Sequence, residues 1–332
     1  MGLPKNKIDV LHEIDSNDKA YWLAFLGADG CNKQRLRLNK NGKYYPAYEV
    51  EFRLAKKDKE QVLNFREFLG SSNKVSFVER SKNGYEGGTG SWKFTTGGKM
   101  LSKDLVKNGC PPRKSKTYKF PTEKQVPNKF LNHTVRGYFD GDGSIFNYPK
   151  SNHNVWSIGI TGTESYIKTL DKKLKEALPE LVTNVQKEKR VKHRMLNLMV
   201  SNRKSLLMFL KWMYKGSTEK TRLPRKYEKA MSAIKELEEN SRKLKEFENL
   251  KLIIRSPEGK IFEVTEKEWP SFAVKIIFRG DGSRTNKYKF KALRSGRTKK
   301  TGSTDGHRNG WEILNIEEAK ERKYPRGWMR ME

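Results

Sequence analysis

Two aspartates stand at equivalent points of a repeated string. Trp22-Leu23-Ala24-Phe25-Leu26-Gly27-Ala28-Asp29-Gly30 is answered by Val135-Arg136-Gly137-Tyr138-Phe139-Asp140-Gly141-Asp142-Gly143. Each string reads as a mostly apolar helical turn or two closed by Asp-Gly. Small residues four apart, Ala24 and Ala28 in one copy and Gly137 and Gly141 in the other, share one helix face and permit close backbone approach. Helices packed along those faces carry Asp29 and Asp142 to one end of the pair. There the helix dipole disfavours negative charge, and two carboxylates repel each other, so the pair favours a divalent cation. Mg²⁺ (or Mn²⁺) suits such a site, because it takes a few carboxylate oxygens, waters and phosphate oxygens. At a phosphodiester it would activate water and stabilise the leaving oxygen. One Asp-Gly end alone is a weak signal that reads as a helix stop; two, in register with a whole-domain repeat, favour the functional reading.

The elements around these strings repeat as well. Ser16, Asn17 or Asp18 can cap a helix running through Tyr21 to Gly27 and stopped by Gly30. Residues 33–38 and 44–54 alternate as strands, with Asn41-Gly42 as the turn between them. A helix is expected over 57–69, strands over 75–80 and 91–95, and a shorter helix over 99–107. The second half follows the same order: a helix over 128–139, strands over 144–148 and 155–161, a Thr163-capped helix to Leu178, strands over 184–189 and 196–201, and a helix over 202–214. An α-β-β-α-β-β-α order present twice means duplication, not a solenoid. The expected organisation is an N-terminal arm (1–18), two repeated domains (19–120 and 121–232), a charged helical linker (233–252) and a small basic domain (253–332).

Charge narrows the partner. Among 332 residues, 70 Lys and Arg face 39 Asp and Glu, a formal charge of +31. Such an excess points to a polyanion, and nucleic acid is the commoner one for a globular basic chain. The 2 cysteines, Cys31 and Cys110, lack CxxC spacing, and the 5 histidines are scattered, so neither a zinc finger nor a disulfide framework is indicated. No run of eighteen apolar residues exists to span a membrane. The opening MGLPKNKIDV has no apolar signal segment, and Asn6 fails the myristoylation pattern. The chain reads as intracellular and soluble.

The duplicated motif resembles that of the LAGLIDADG homing endonucleases of the single-chain, two-motif kind. The resemblance covers roughly residues 19–232 and includes Pro112-Arg113-Lys114-Ser115 and Leu223-Pro224-Arg225-Lys226. It implies an α+β fold of two pseudo-symmetric halves, packed through the motif helices, whose antiparallel hairpins form a β-saddle along the DNA major groove. It implies that Asp29 and Asp142 bind the catalytic metal in a monomer with internal pseudo-twofold symmetry. Both strands of double-stranded DNA would be cut with short 3′ overhangs, as expected of a phage or bacterial mobile element. One departure is that Gly27 stands where the second motif has Asp140; that position is not the metal ligand in the family, and some asymmetry between the two strand cuts is expected. A DNA-binding regulator or an intron RNA maturase on the same scaffold is the alternative, but the presence of both motif acids weighs against a non-catalytic binder. Lys114 and Lys220, near the ends of the two repeats, are candidates for polarising the scissile phosphate or its water, and equally for ordinary phosphate or surface contacts.

Alternation supplies a DNA-reading surface. Lys33, Arg35 and Arg37 share one strand parity, as do Glu51 and Arg53, and in the second half Arg190, Lys192 and Arg194. In the C-terminal segment, Ser256-Pro-Glu-Gly-Lys-Ile-Phe-Glu-Val264 and Gly306-His-Arg-Asn-Gly-Trp311 resemble small modular DNA-binding repeats appended to phage and bacterial homing nucleases, although 266–274 departs from that pattern. Lys287, Lys289, Arg294, Arg297, Lys299 and Lys300 would supply phosphate contacts there. Neutralising about 8 phosphates predicts that log K falls with log salt at a slope near −7 in a filter-binding or fluorescence titration. A slope near zero would contradict this charge reading.

Overall fold

The computed structural model describes residues 10–79, 90–150, 153–187, 195–256, 258–272 and 312–314. The chain divides into two units, residues 1–234 and 235–332. The first unit holds both repeats. Its elements run α1 (Asn17–Asp29), β1 (Gly30–Leu38), β2 (Tyr44–Ala55), α2 (Lys59–Phe68), β3 (Val75–Val78), β4 (Ser91–Gly97) and α3 (Lys99–Lys107). The second copy runs α4 (Leu131–Asp142), β5 (Gly143–Lys150), β6 (His153–Thr163), α5 (Glu164–Ala177), β7 (Asn184–Lys187), β8 (Met195–Val200) and α6 (Arg203–Tyr214). The duplicated α-β-β-α-β-β-α order is therefore present as expected. The sheets have matching orders, β1-β2-β4-β3 and β5-β6-β8-β7, with every neighbouring pair antiparallel.

Local chemistry accounts for the element ends. The Ser16 side chain caps α1 by accepting from the Lys19 amide, and Thr163 caps α5 by accepting from Tyr166. Gly42 at φ 72° makes the β1–β2 turn, a conformation L side chains resist. The second motif helix runs three residues beyond the expected end at Phe139, because Asp140, Gly141 and Asp142 continue it before Gly143 turns into β5.

Helix α1 is buried continuously from Ala20 to Gly27, so it is apolar nearly all round. One side meets its own sheet: Trp22 and Phe25 pack with Phe52 and Phe65, and Phe65 sits edge-on to Phe94. In the second half Tyr138, the counterpart of Phe25, stacks on Tyr166 with ring centroids 3.9 Å apart. Tyr118, from the segment leaving the first half, extends that stack. Val50, Phe52, Phe94, Ile158, Ile160 and Leu198 turn inward from the two sheets, and the intervening residues form each sheet's outer face.

The other side of α1 meets α4. A β-carbon on Gly137 would lie 2.1 Å from the Tyr21 carbonyl oxygen, and one on Gly141 would lie 2.3 Å from Ala28 Cβ. Ala28 and Gly141 are equivalent positions of the two motifs. Equivalent residues touching each other mark a local twofold axis, here running along two parallel helices. Both sheets are thus turned the same way along that axis.

Helix α7 (Pro224–Glu248) runs across the division between the units. In the second unit β9 (Lys251–Arg255) pairs with β10 (Ile261–Thr265) and with β11 (Glu312–Ile313), all antiparallel. Gly259 at φ 83° closes the β9–β10 turn, and α8 (Trp269–Phe272) brings Trp269 into a buried position. The basic residues expected to contact phosphate, Lys287, Lys289, Arg294, Arg297, Lys299 and Lys300, lie outside the described residues. Among the described residues no helix is long and apolar enough to cross a membrane.

The backbone approach at Gly137 leaves no room for a methyl group. Gly137→Ala should lower stability by about 2–3 kcal/mol, since the clash is with main chain that cannot rotate away. Chemical denaturation measures this; an unchanged midpoint would mean that the helices do not meet at this point.

Candidate metal centre and its lysine-capped helix ends

Asp29 and Asp142 are the last helical residues of α1 and α4, and the chain passes directly from each into a strand. Because Ala28 and Gly141 touch, the two carboxyl groups come to one end of the helix pair. Asp29 Oδ2 lies 3.3 Å from where a Gly141 β-carbon would stand. Both residues remain reachable by solvent, yet protein atoms crowd their carboxyl groups. That crowding, followed by the Asp142 charge, pushes Asp29 up to about 6. Asp142 is also raised by burial, while the Tyr138 hydroxyl, Lys114 and Lys226 pull it back. Among the described residues neither carboxylate forms a salt bridge with Lys or Arg, and no third His, Cys, Asp or Glu joins them. Two clustered carboxylates without a cationic partner, the first disfavoured in its ionised form, fit a hard divalent cation that takes its other ligands from water or phosphate.

The nearest ammonium groups are engaged elsewhere. Lys114 is buried and donates to the carbonyls of Gly30 at 2.7 Å and Ala28 at 3.4 Å. Lys226 is buried at the equivalent place and donates to Phe139 and Asp140 at 2.7 Å, Gly143 at 2.6 Å and Gly141 at 3.3 Å. Neither motif helix has a basic residue in its own last turn. Each lysine therefore reaches in from a later segment, satisfies the orphan carbonyls and offsets the negative end of the dipole. Burial drives Lys226 down to about 8.

This pairing corrects the expected partner of Lys114. Lys220 stands instead at an exposed position, bonded to Glu67 at 2.5 Å, away from the helix ends. The signal for Lys226 lies in the sequence, since Pro-Arg-Lys occurs at 112–114 and again at 224–226. The two copies reach their lysine differently. Arg113 takes a left-handed φ of 56° and Lys114 starts a short 3-10 turn, whereas Lys226 lies in the first turn of α7. Arg225, just before Lys226, is anchored to buried Asp58 at 2.9 Å.

The departure at Gly27 has a steric cause. A β-carbon there would lie 2.0 Å from the Tyr118 hydroxyl. In the second motif Asp140 is buried and accepts from the Tyr21 hydroxyl and the Leu223 amide, both at 2.8 Å. It thereby fixes the backbone one residue before Pro224-Arg225-Lys226. Gln61 extends the chain of contacts by donating to the Tyr21 hydroxyl at 2.8 Å and the Lys220 carbonyl at 3.0 Å. Asp140 is thus turned into the core, apart from Asp29 and Asp142. Arg136, also buried, donates to the Thr221 and Met213 carbonyls at 2.7 and 2.9 Å and packs its guanidinium 2.7 Å from His133 Nδ1. Burial and the Arg136 charge hold His133 down at about 4, so it is a neutral acceptor. Sequence patterning marked neither Arg136 nor His133, because a buried polar network has no periodic signature.

Of the expected DNA-reading residues, Lys33, Arg35, Arg37 and Arg53 share the outer face of the first sheet. They form an ion-pair lattice: Lys33 with Glu51 at 2.7 Å, Arg35 and Arg37 with Glu49 at 2.8 and 2.9 Å, and Arg53 with Glu51 at 3.8 Å. Arg190, Lys192 and Arg194 lie outside the described residues.

Removing the lysine at either helix end should act on stability in a way that removing Lys220 does not. Lys226→Met is expected to cost about 2–3 kcal/mol, because it leaves buried carbonyls without a charged donor. Lys220→Ala should stay within about 0.5 kcal/mol, as is usual for an exposed ion pair. Equal losses for the two variants in thermal or denaturant unfolding would contradict this assignment.

No family model and no curated protein matches the chain. Solved structures similar to it include the meganuclease I-SmaMI bound to uncleaveable DNA with a TTGT central four, at 15% identity over 68% of this chain and 90% of that one, with a TM-score of 0.47. The I-SmaMI LAGLIDADG homing endonuclease bound to cleaved DNA is similar at 14% identity over 68% and 90%, with a TM-score of 0.46. The LAGLIDADG homing endonuclease I-GzeII in complex with its DNA target is similar at 10% identity over 68% and 91%, with a TM-score of 0.46.

Proposed function

We propose that this chain is a site-specific double-stranded DNA endonuclease of the LAGLIDADG homing type, using Mg²⁺ (or Mn²⁺) between Asp29 and Asp142. The observation that carries the reading is the Ala28–Gly141 contact, which brings equivalent carboxyl-bearing helix ends together on a local twofold axis. A DNA duplex has its own twofold axis relating its two strands, and a pseudo-symmetric protein on that axis meets one backbone with each half. The formal charge of +31 and the charged outer face of the first sheet support the polyanionic partner.

When bound, the metal would supply Lewis-acid stabilisation of charge on phosphate oxygens and a more acidic water. The residues have separate tasks. Asp29 and Asp142 hold the cation, and must be ionised to do so. Lys114 and Lys226 act as positioning residues that fix the helix ends carrying those carboxylates. Asp140 holds Leu223, and through it the segment that delivers Lys226. Short 3′ overhangs, a monomeric state, an intracellular setting and a phage or bacterial source are the finer parts of this proposal.

The pH dependence follows from Asp29. Its folded value near 6 lies above its ordinary 3.8, so the folded protein holds the proton more tightly than the unfolded chain. Without metal, Asp29 therefore removes stability as pH rises from about 4 to 6, and Asp29→Asn should raise the melting temperature at pH 7.5 but not at pH 4. Mg²⁺ should stabilise the unaltered protein at pH 7.5 and not at pH 5, where Asp29 is largely protonated. Asp29→Asn and Asp142→Asn should each abolish that metal shift and the cutting of DNA while leaving DNA binding intact. A target selected from a DNA library that stays uncut with Mg²⁺, at concentrations giving full binding, overturns the nuclease reading in favour of a regulator; selective binding of structured RNA would favour a maturase.

A further inference from the structure

The pairing registers place the two outer faces in exact correspondence, and that correspondence exposes a chemical difference. Gly30 pairs with Phe52 as Gly143 pairs with Ile160, and Phe94 faces Phe52 as Leu198 faces Ile160. On this alignment Lys33 corresponds to Phe146, Arg35 to Tyr148 and Glu51 to Gly159. Arg53 corresponds to Thr161, Lys93 to Asn197 and Thr95 to Met199. The charged side chains of Lys33, Arg35, Glu51, Arg53 and Lys93 on the first face are thus replaced by the uncharged Phe146, Tyr148, Gly159, Thr161 and Asn197.

The second face is also built differently in detail. Phe146 stacks on Tyr148 with centroids 5.7 Å apart, and Tyr148 is 54% exposed. Gly159 lies beneath three side chains: a β-carbon there would be 2.9 Å from Met199 Sδ, 3.0 Å from Asn197 Oδ1 and 3.3 Å from Phe146 Cε2. Asn197 Oδ1 is covered and has no hydrogen-bond partner. Gln186 pairs with Asn197 and so adds a second amide to the same face.

Base edges in the major groove respond to these groups in opposite ways. Arg and Lys pair with guanine O6 and N7, and Glu accepts from cytosine N4, whereas Asn and Gln pair with adenine and apolar groups meet the thymine methyl. A G·C pair pressed on an apolar floor leaves its guanine acceptors and cytosine donor without partners. We propose that the two sheets read half-sites of opposite composition: a G·C-rich half on β1-β2-β4-β3 and an A·T-rich half, recognised through thymine methyls, on β5-β6-β8-β7. This inference rests on the DNA-endonuclease reading and adds to it the chemical class of each half-site.

The full-length protein would be used to capture duplexes from a randomised library without divalent metal, and the bound DNA would be sequenced. The expected consensus has one G·C-enriched and one A·T-enriched half. Tyr148→Ala should relax selection only in the A·T half and Arg35→Ala only in the other, each by roughly 5- to 150-fold at the affected position. Replacing thymine by uracil removes the methyl group alone; it should weaken binding several-fold when placed in the A·T half and leave it unchanged in the other. Halves of equal composition, or binding indifferent to uracil in the A·T half, would overturn the proposal while leaving the nuclease reading standing. No enrichment of any sequence would overturn both.

Discussion

The first unit depends on one close approach, the parallel contact of α1 and α4 where Ala28 meets Gly141. Helices usually pack with axes 8–10 Å apart, and only residues with little or no side chain let backbone meet backbone as Gly137 meets the Tyr21 carbonyl. Everything else is arranged around that axis. Each helix runs straight into the first strand of its own sheet, so the position of the helix pair sets the position of both outer faces. The contact also forces two carboxyl groups together at the helix ends, an arrangement unfavourable on its own account.

The fold offsets that cost with two buried lysines. Lys114 and Lys226 come from segments that follow each half, and both end on carbonyls of the motif helix and the following strand. They relieve the helix ends without pairing directly with the carboxylates, so both acids stay available for the proposed cation. The imperfect symmetry serves the same end. Tyr118 fills the space that would oppose an acid at Gly27, while Asp140 secures Leu223 and hence the approach of Lys226. One half thus uses bulk and a left-handed Arg113, and the other a buried carboxylate and a helix start, to hold a lysine at the same point.

Much of this was legible in the sequence. The duplicated element order, the Ser16 and Thr163 caps, the span of α3 and the small-residue faces of the motif helices follow from patterns that local physics enforces. The shared parity of Lys33, Arg35, Arg37 and Arg53 gave their common face. The Lys114 counterpart was harder to read, because matching the ends of the repeats aligned Lys220, while the lysine that reaches the helix end depends on tertiary folding of unlike segments. Arg136, His133, Gln61 and Tyr21 form contacts across 40 to 119 residues of chain or within a buried turn, and no periodicity reports such partners. The contrast between the outer faces was likewise hidden, since it emerges only when strand registers align Lys33 with Phe146 and Glu51 with Gly159.

Asp29 and Asp142 are proposed to hold together one divalent cation on the axis between the halves. Anomalous diffraction from crystals of the protein with its DNA and Mn²⁺ tests this directly. The expected result is a manganese peak within bonding distance of carboxylate oxygens from both residues. Manganese bound elsewhere, or on one aspartate with the other turned away, would contradict it.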